Sequence, residues 1–339
     1  MQKKNILYIG NKLADKGATV TSIETLGVFL QSEGYDVYMA SSVRNKFLRL
    51  LDMLYSVFKY SGKVSLVLID TYSTQNFYFA VIVAKLCRLL RMPYAPILRG
   101  GNLPARLAND HRLSASLFEG AKIIIAPSLY LMKAFKRAGY VNLHYIPNTI
   151  EIENYPFLIR NKLQPKLLWV RSFANIYNPE LAIEIIKELH LQGINATLTM
   201  VGPEKDGSLE RCKSLVAALK LPVTFTGKLD KDKWITLSKN YDIFINTTNF
   251  DNTPVSVMEA MALGLPVVST NVGGIPYLIE NSKTGLLVRP NNAILFTDAI
   301  CSLLKNSILA SSISGSARSK VQSFDWQKVK SLWFALLSE

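Results

Sequence analysis

The stretch "NFDNTPVSVMEAMALGLPVVSTNVGGIP", residues 249–276, sets two carboxylates, Asp251 and Glu259, eight positions apart around the start of a helical run. A polar turn carrying Asp251, Asn252 and Thr253 leads to Pro254, a residue suited to a helix's first turn, with Thr253 or a polar neighbour expected as its cap. "VSVMEAMALG" then reads as a helix closed by Gly264, and "LPVVST" as an apolar, β-branched strand. The pair Gly273–Gly274 follows. A loop, helix, strand and turn in this order belong to a parallel α/β sheet. At such a sheet's mouth, a helix N-terminus leaves backbone N–H groups open to a phosphate. Glu259, about a turn and a half on, can accept from a ribose diol, and Asp251 can meet sugar hydroxyls. Spacing alone equally allows a loop cap and a solvated glutamate, the commoner fate of such a pair.

Outward from this stretch the strand–helix alternation recurs. "NILYIG" (5–10), "YDVYMAS", "VSLVLID" (64–70), "YAPILRG" (94–100), "KIIIAPS" (122–128) and "LHYIPN" (143–148) read as strands, with helices between, the first over 19–34. The pattern restarts with "KLLWVRSF" (166–173), followed by "ATLTMVG" (196–202), "VTFTGKL" and "YDIFINT". Between the two series lies "PNTIEIENYPFLIRNKLQPK" (147–166), rich in Pro, Asn and charge and poor in periodicity. Two doubly wound α/β domains are expected, over 1–150 and 151–320, with a terminal segment over 321–339. Their ligands should gather at the carboxyl ends of the strands and in the cleft between the domains.

Composition narrows the function. With 49% hydrophobic and 19% charged residues in 339, the chain has a large core and is not disordered. Cys87, Cys212 and Cys301 stand apart, which argues against disulfides or structural zinc and fits a reducing cytoplasm. The opening "MQKKNILYIG" lacks a signal peptide's cleavage region, and "FYFAVIVAKLCRLL" (77–90) is too short and too charged to span a bilayer. Charge is uneven: residues 1–165 hold 21 Lys and Arg against 10 Asp and Glu, a net of +11 within a total of +14. Such a field favours an anionic partner: nucleic acid, phospholipid surface or phosphorylated substrate. No nucleic-acid module or aromatic–basic interleaving is present, so a nucleic-acid partner is not expected. The stretch 42–63 reads as a basic, amphipathic helix pair with Leu48, Leu51, Leu54 and Phe58 at helical spacing. That stripe either faces the core or rests on anionic lipid.

The segment "DNTPVSVMEAMALGLPVVSTNVGGIPYLIENSKTGLLV" resembles the signature of the retaining, family 4 glycosyltransferases of the GT-B fold, through about forty residues with matching intervals. "KLDKDKWITLSKNYDIFIN", "HYIPNTIE", "DKGATVTSIETLGVFLQSEGYDV" and "FDWQKVKSLW" are similar to the family's other segments, the last to a tail helix that crosses back to the first domain. The resemblance implies two Rossmann-like domains, an acceptor-side one and a donor-binding one. It implies sugar transfer from a nucleotide-diphosphate-sugar donor to a hydroxyl, with retention of anomeric configuration and without a bound metal or other cofactor. The acceptor would be a glycan or lipid-linked glycan, in surface polysaccharide or glycolipid synthesis, at the inner face of the membrane. Carried over by position, Glu259 would hold the ribose and Asp251 would contact the donor sugar. The amides of Thr253, Pro254, Val255 and Ser256 would face the diphosphate or sugar, proline contributing position only. Gly17 would let the backbone approach the donor phosphates, Gly227 would border the base, and Arg171 would neutralise the leaving diphosphate.

Three departures stand out. Asp251 occupies a position where the family most often has glutamate. Tyr177 lies near the slot of a second, lysine cation after the "LLWV" strand, leaving Arg171 alone. "PILRGGNL" has Arg99 where many members place a histidine, so Arg99 is the candidate for phosphate or acceptor there. The alternatives are a nucleotide-sugar hydrolase or epimerase of the same fold, a donor-binding protein without catalysis, and, from a different class, a basic nucleic-acid-binding protein.

Overall fold

A computed structural model describes residues 5–17 and 20–338. The chain divides into two compact units, Met1–Pro147 with Ser331–Glu339, and Asn148–Lys330. Each is built on its own six-stranded parallel sheet.

The first unit runs β1 (Ile6–Ile9), α1 (Ser22–Ser32), β2 (Val37–Ala40), α2 (Lys46–Lys59), β3 (Leu66–Thr71) and α3 (Asn76–Leu89). It continues through β4 (Tyr94–Leu98), α4 (Leu103–Asn109), α5 (His111–Phe118), β5 (Ile124–Ala126), α6 (Leu129–Arg137) and β6 (Leu143–Tyr145). The strand order is β2-β1-β3-β4-β5-β6. All residues of β1, β3, β4 and β5 are buried. Both faces of these strands are covered, which is why they read as unbroken apolar runs. The expected 19–34 helix is α1 from Ser22, opened by a capping box between Thr21 and Glu24; Thr19 lies outside the described residues.

The expected helix pair over 42–63 is one helix, α2. Asn45 starts it by accepting hydrogen bonds from the amides of Phe47 and Leu48. Its inner face buries Arg49, Met53, Ser56 and Val57, while Leu48, Leu51 and Phe58 of the predicted stripe are exposed. The core therefore does not take that stripe; only Leu54 packs partly against it.

The second unit runs β7 (Lys166–Val170), α7 (Pro179–Leu191), β8 (Thr197–Val201), α8 (Ser208–Leu219), β9 (Val223–Gly227) and α9 (Lys231–Ser238). Then come β10 (Ile243–Asn246), α10 (Val255–Ala262), β11 (Val267–Thr270), α11 (Ile275–Leu278), β12 (Leu286–Val288), α12 (Ala293–Lys305) and α13 (Ser307–Val321). The order is β12-β11-β10-β7-β8-β9. Alternate side chains feed two cores: Leu167, Trp169, Ile243 and Ile245 enter one, and Leu168 and Phe244 the other. That period of two across a buried sheet fixes register, because a one-residue slip would exchange the two faces. Trp169, the largest fully buried side chain, donates its indole N–H to Thr247 Oγ1 at 3.0 Å, so burial leaves no unmet donor there.

The last helix, α14 (Trp326–Ser338), begins later than the expected tail segment at 321. Val321 is fully buried in the core of the second unit as the end of α13, and only Ser331–Glu339 belong to the first unit. Within that unit Phe334 packs on Tyr35 with ring centroids 5.8 Å apart.

Candidate functional site

In the second sheet the winding reverses between β7 and β10, so connections leave these strands in opposite directions and a crevice opens at their carboxyl ends. Arg171 directly follows β7, its amide bonded to the Val201 carbonyl at 3.0 Å. Asp251 lies on the loop after β10. The structure brings them together: Arg171 Nη2 donates to Asp251 Oδ2 in an ion pair, with both side chains under a fifth exposed. Asp251 Oδ1 accepts from the Asn252 amide at 2.8 Å. The Arg171 guanidinium also lies 4.2 Å from the centroid of Tyr177, so the residue near the expected lysine slot supports the arginine.

The glycine pair explains how the loop is held. Gly274 N–H donates to the Asp251 carbonyl at 2.9 Å. A Cβ at Gly273 would lie 2.2 Å from Asp251 O, and one at Gly274 only 1.9 Å from Asn252 O. Only residues without a side chain let the turn after β11 press on the backbone that carries Asp251. Thr270 Oγ1 adds a 2.6 Å hydrogen bond to the Thr248 carbonyl of the same loop. At the next strand end, a Cβ on Gly202 would fall 1.7 Å from Arg171 O. The Gly202 amide reaches the carbonyl of Gly227, at the end of β9, at 2.9 Å. Gly227 itself has φ +71° with open space where a side chain would be.

The start of α10 differs from expectation. Pro254, not Thr253, occupies the N-cap, and no side chain bonds to the first turn. Thr253 instead presents its carbonyl to Asn148 Nδ2 at 3.3 Å. Pro254 has no hydroxyl or carboxylate to cap with, so the amides of Val255 and Ser256 meet no acceptor among the described residues. These are the groups a helix terminus leaves open to an anion. The Ser256 hydroxyl is buried and also without a partner.

One turn on, Glu259 is 5% exposed. Its Oε1 accepts from the Tyr155 hydroxyl at 2.6 Å and lies 3.2 Å from Lys231 Nζ. No described residue donates to Oε2. Burial pushes the carboxyl up from its ordinary range, opposed by the Lys231 charge and the Tyr155 hydrogen bond. Arg318 fixes this corner by donating to the carbonyls of Tyr155 and Ala262, both at 2.7 Å.

Gly17 and Arg99 belong to the first unit. Gly17 ends a short 3-10 turn at φ +84°, its Cβ position open. Arg99 follows β4 and is not a free cation. Its Nε donates to Asp70 Oδ1 at 2.9 Å and Nη2 to the Tyr8 hydroxyl at 3.1 Å, with the side chain 9% exposed. Tyr8 also donates to Asp70 Oδ1 at 3.0 Å. Burial pushes the Asp70 carboxyl up while Arg99 and Tyr8 oppose it. Arg99 thus neutralises a buried carboxylate, a partner that its place after β4 did not announce.

Buried side-chain polar atoms normally find partners. Among the described residues four do not: Asp70 Oδ2, Arg171 Nε, Ser256 Oγ and Thr297 Oγ1. Two of them lie at the β7/β10 crevice, where an incoming anion or hydroxyl would satisfy them. Sequence reasoning missed Tyr155 and Lys231 as partners of Glu259, and Asp70 and Tyr8 as partners of Arg99. The one available signal was "KLDKDKW", whose lysine at 231 opens a helix after a strand end.

Residues 153–320 match the family described as "Glycosyl transferases group 1". The chain is 30% identical over 191 residues to the amylovoran biosynthesis glycosyltransferase AmsK of Erwinia amylovora, covering 51% of this chain and 44% of that one. The matched part spans about half the length, or less, of the curated relatives. Among solved structures, sucrose-phosphate synthase from Thermosynechococcus elongatus superposes with a TM-score of 0.80 at 17% identity, covering 99% of this chain and all of that one. The Anabaena protein HepE in complex with UDP-glucose gives 0.77 at 17% identity, over 99% and 100%. The shared fold is GT-B.

Proposed function

We propose that this chain, whose residues 153–320 belong to the group 1 glycosyl transferases and whose fold is GT-B, moves a sugar from a nucleotide-diphosphate donor to a hydroxyl acceptor. The observation that carries this reading is the convergence at one sheet crevice of an uncapped helix N-terminus, the Arg171–Asp251 pair and the buried Glu259. Each part meets one part of such a donor. Glu259 Oε2 accepts from the ribose hydroxyls, with Tyr155 and Lys231 holding Oε1. The Val255 and Ser256 amides and the Ser256 hydroxyl receive the diphosphate. Arg171 supplies the cation where negative charge develops on the leaving group, and fixed dipoles there need no reorganisation as the bond breaks. Asp251 keeps lone pairs free beyond its two hydrogen bonds and meets the sugar hydroxyls.

The reaction is read as retaining and metal-independent. The acceptor oxygen forms its bond to the anomeric carbon on the face from which the diphosphate oxygen departs. That departing oxygen takes the acceptor's proton, so no protein nucleophile is needed. A UDP-sugar donor is favoured by the likeness to HepE with UDP-glucose, and a polysaccharide or lipid-linked glycan acceptor by the likeness to the amylovoran enzyme. The protein would then work in surface polysaccharide synthesis beside a membrane. Incubation with UDP-sugars, with and without glycan acceptors, tests this. Nucleoside diphosphate release that depends on acceptor, with the product's anomeric configuration unchanged by NMR, supports it. Equal release without acceptor makes the protein a hydrolase, and an inverted product refutes retention.

A further inference from the structure

We propose that the outward face of α2 docks the protein on an anionic lipid bilayer; this rests on the transferase reading only for the lipid-borne acceptor it would serve. Phe47, Leu48, Leu51, Tyr55 and Phe58 are 69%, 53%, 45%, 62% and 69% exposed. At 3.6 residues per turn they fall within an arc of about 100° on one helix. A single exposed leucine needs no explanation, but five large apolar side chains in one stripe mark a docking surface. The helix is inverted relative to an ordinary core helix, because it buries a guanidinium in their place. Arg49 donates to the carbonyls of Val43 and Arg44, both at 2.7 Å, and to Asn11 Oδ1 at 3.1 Å. The Asn11 bond, with Met53 and Val57 buried in the core, holds α2's inner face to its own unit, so the apolar stripe stays outward.

Charge selects the occupant. Arg44, Lys46, Lys59 and Lys63 are exposed and flank the stripe at both helix ends. No acidic side chain pairs with Lys46, Lys59 or Lys63 among the described residues. An open pocket of about 370 Å³ beside the stripe is lined in part by Lys12, Tyr55 and Lys59, together with Asp52, the one acid on α2. Apolar side chains that enter the acyl boundary, with lysines at the level of the phosphates, match an interfacial helix.

The test is co-sedimentation of the full chain with vesicles of phosphatidylcholine alone, or mixed with phosphatidylglycerol. Binding is expected on the anionic vesicles in low salt, with release in high salt. Lys46→Gln with Lys59→Gln should weaken it about 25-fold, at about fivefold per cation near an anionic surface. Phe47→Ser, Leu51→Ser and Phe58→Ser together should abolish it, and a Phe58→Trp variant should shift its fluorescence to the blue on binding. Equal binding to neutral vesicles, no binding, or an unaffected triple variant would overturn the proposal. So would a dimer of the wild type that the triple variant breaks, since that assigns the face to a second copy. The rise in Tm on adding nucleotide sugar should be the same in the triple variant as in the wild type. Loss of docking and failure of the transferase reading are therefore told apart.

Discussion

Gly274→Ala is a small change with a computable consequence. Its φ of −86° suits any residue, so the backbone conformation itself is not strained. The conflict is one of space: the new Cβ would lie 1.9 Å from Asn252 O, whereas ordinary contact begins at 3.4 Å. The loop must therefore retreat by about 1.5 Å, and it carries Asp251 and leads to the open amides of α10. Overpacking of this kind costs about 1–3 kcal/mol. For a unit of this size that lowers Tm by roughly 2–12 °C. The functional effect should be larger than the stability effect, since a misplacement of about 1 Å reduces a reaction on the order of 100-fold. The assay is thermal unfolding paired with donor titration and turnover. Gly315→Ala is the control: it lies within α13 with nothing near its Cβ position, and should stabilise by up to about 1 kcal/mol through helix propensity. If Gly274→Ala matches the wild type in Tm, affinity and turnover, the glycine pair does not position the Asp251 loop.

Other expectations follow from the same site. Tyr155→Phe removes the shortest hydrogen bond to Glu259 and should cost about 1–3 kcal/mol, read by denaturant unfolding. Glu259→Gln should separate stability from function. Because the folded carboxyl titrates above its unfolded value, its contribution is present at pH below about 4.5 and is lost as pH rises through the folded value. The variant's stability relative to the wild type should therefore improve with rising pH while donor binding is lost; a flat difference across pH 4–8 would contradict this. Arg171→Ala leaves the Asp251 carboxylate without its cation. It should lower kcat by about 100-fold or more if Arg171 stabilises the departing charge, and an unchanged kcat would remove it from the mechanism.

Much of the scaffold was legible because the chain encloses its strands on both faces. "LLWV" (167–170) and "IFI" (243–245) are continuous apolar runs, and no polar residue interrupts them. β12, three residues of "TGLLV", was too short to announce itself. The direction of α2's apolar stripe was not legible, since periodicity gives a stripe but not the side on which the core lies. The buried Arg49 that decides it is held by two local carbonyls and by Asn11, which lies 38 positions away and reaches it only in the fold. Asp251 and Glu259 were findable because they share one local segment. Their partners were not: Arg171 is 80 positions from Asp251, and Tyr155 104 from Glu259. Arg99 looked like a free cation for the same reason, since Asp70 and Tyr8 reach it from two other strands.

The most direct test of the central claim is calorimetric titration and thermal unfolding of the full chain with a panel of nucleoside diphosphate sugars, run in parallel on Glu259→Ala. At a ligand concentration of 100 times Kd, binding to the folded state alone adds about 2.7 kcal/mol, which raises Tm by roughly 5–11 °C for a unit of this size. At least one nucleotide sugar should give that rise in the wild type and little or none in Glu259→Ala. A rise that survives intact in Glu259→Ala, or no rise with any member of the panel, would contradict the assignment of the β7/β10 crevice as the donor site.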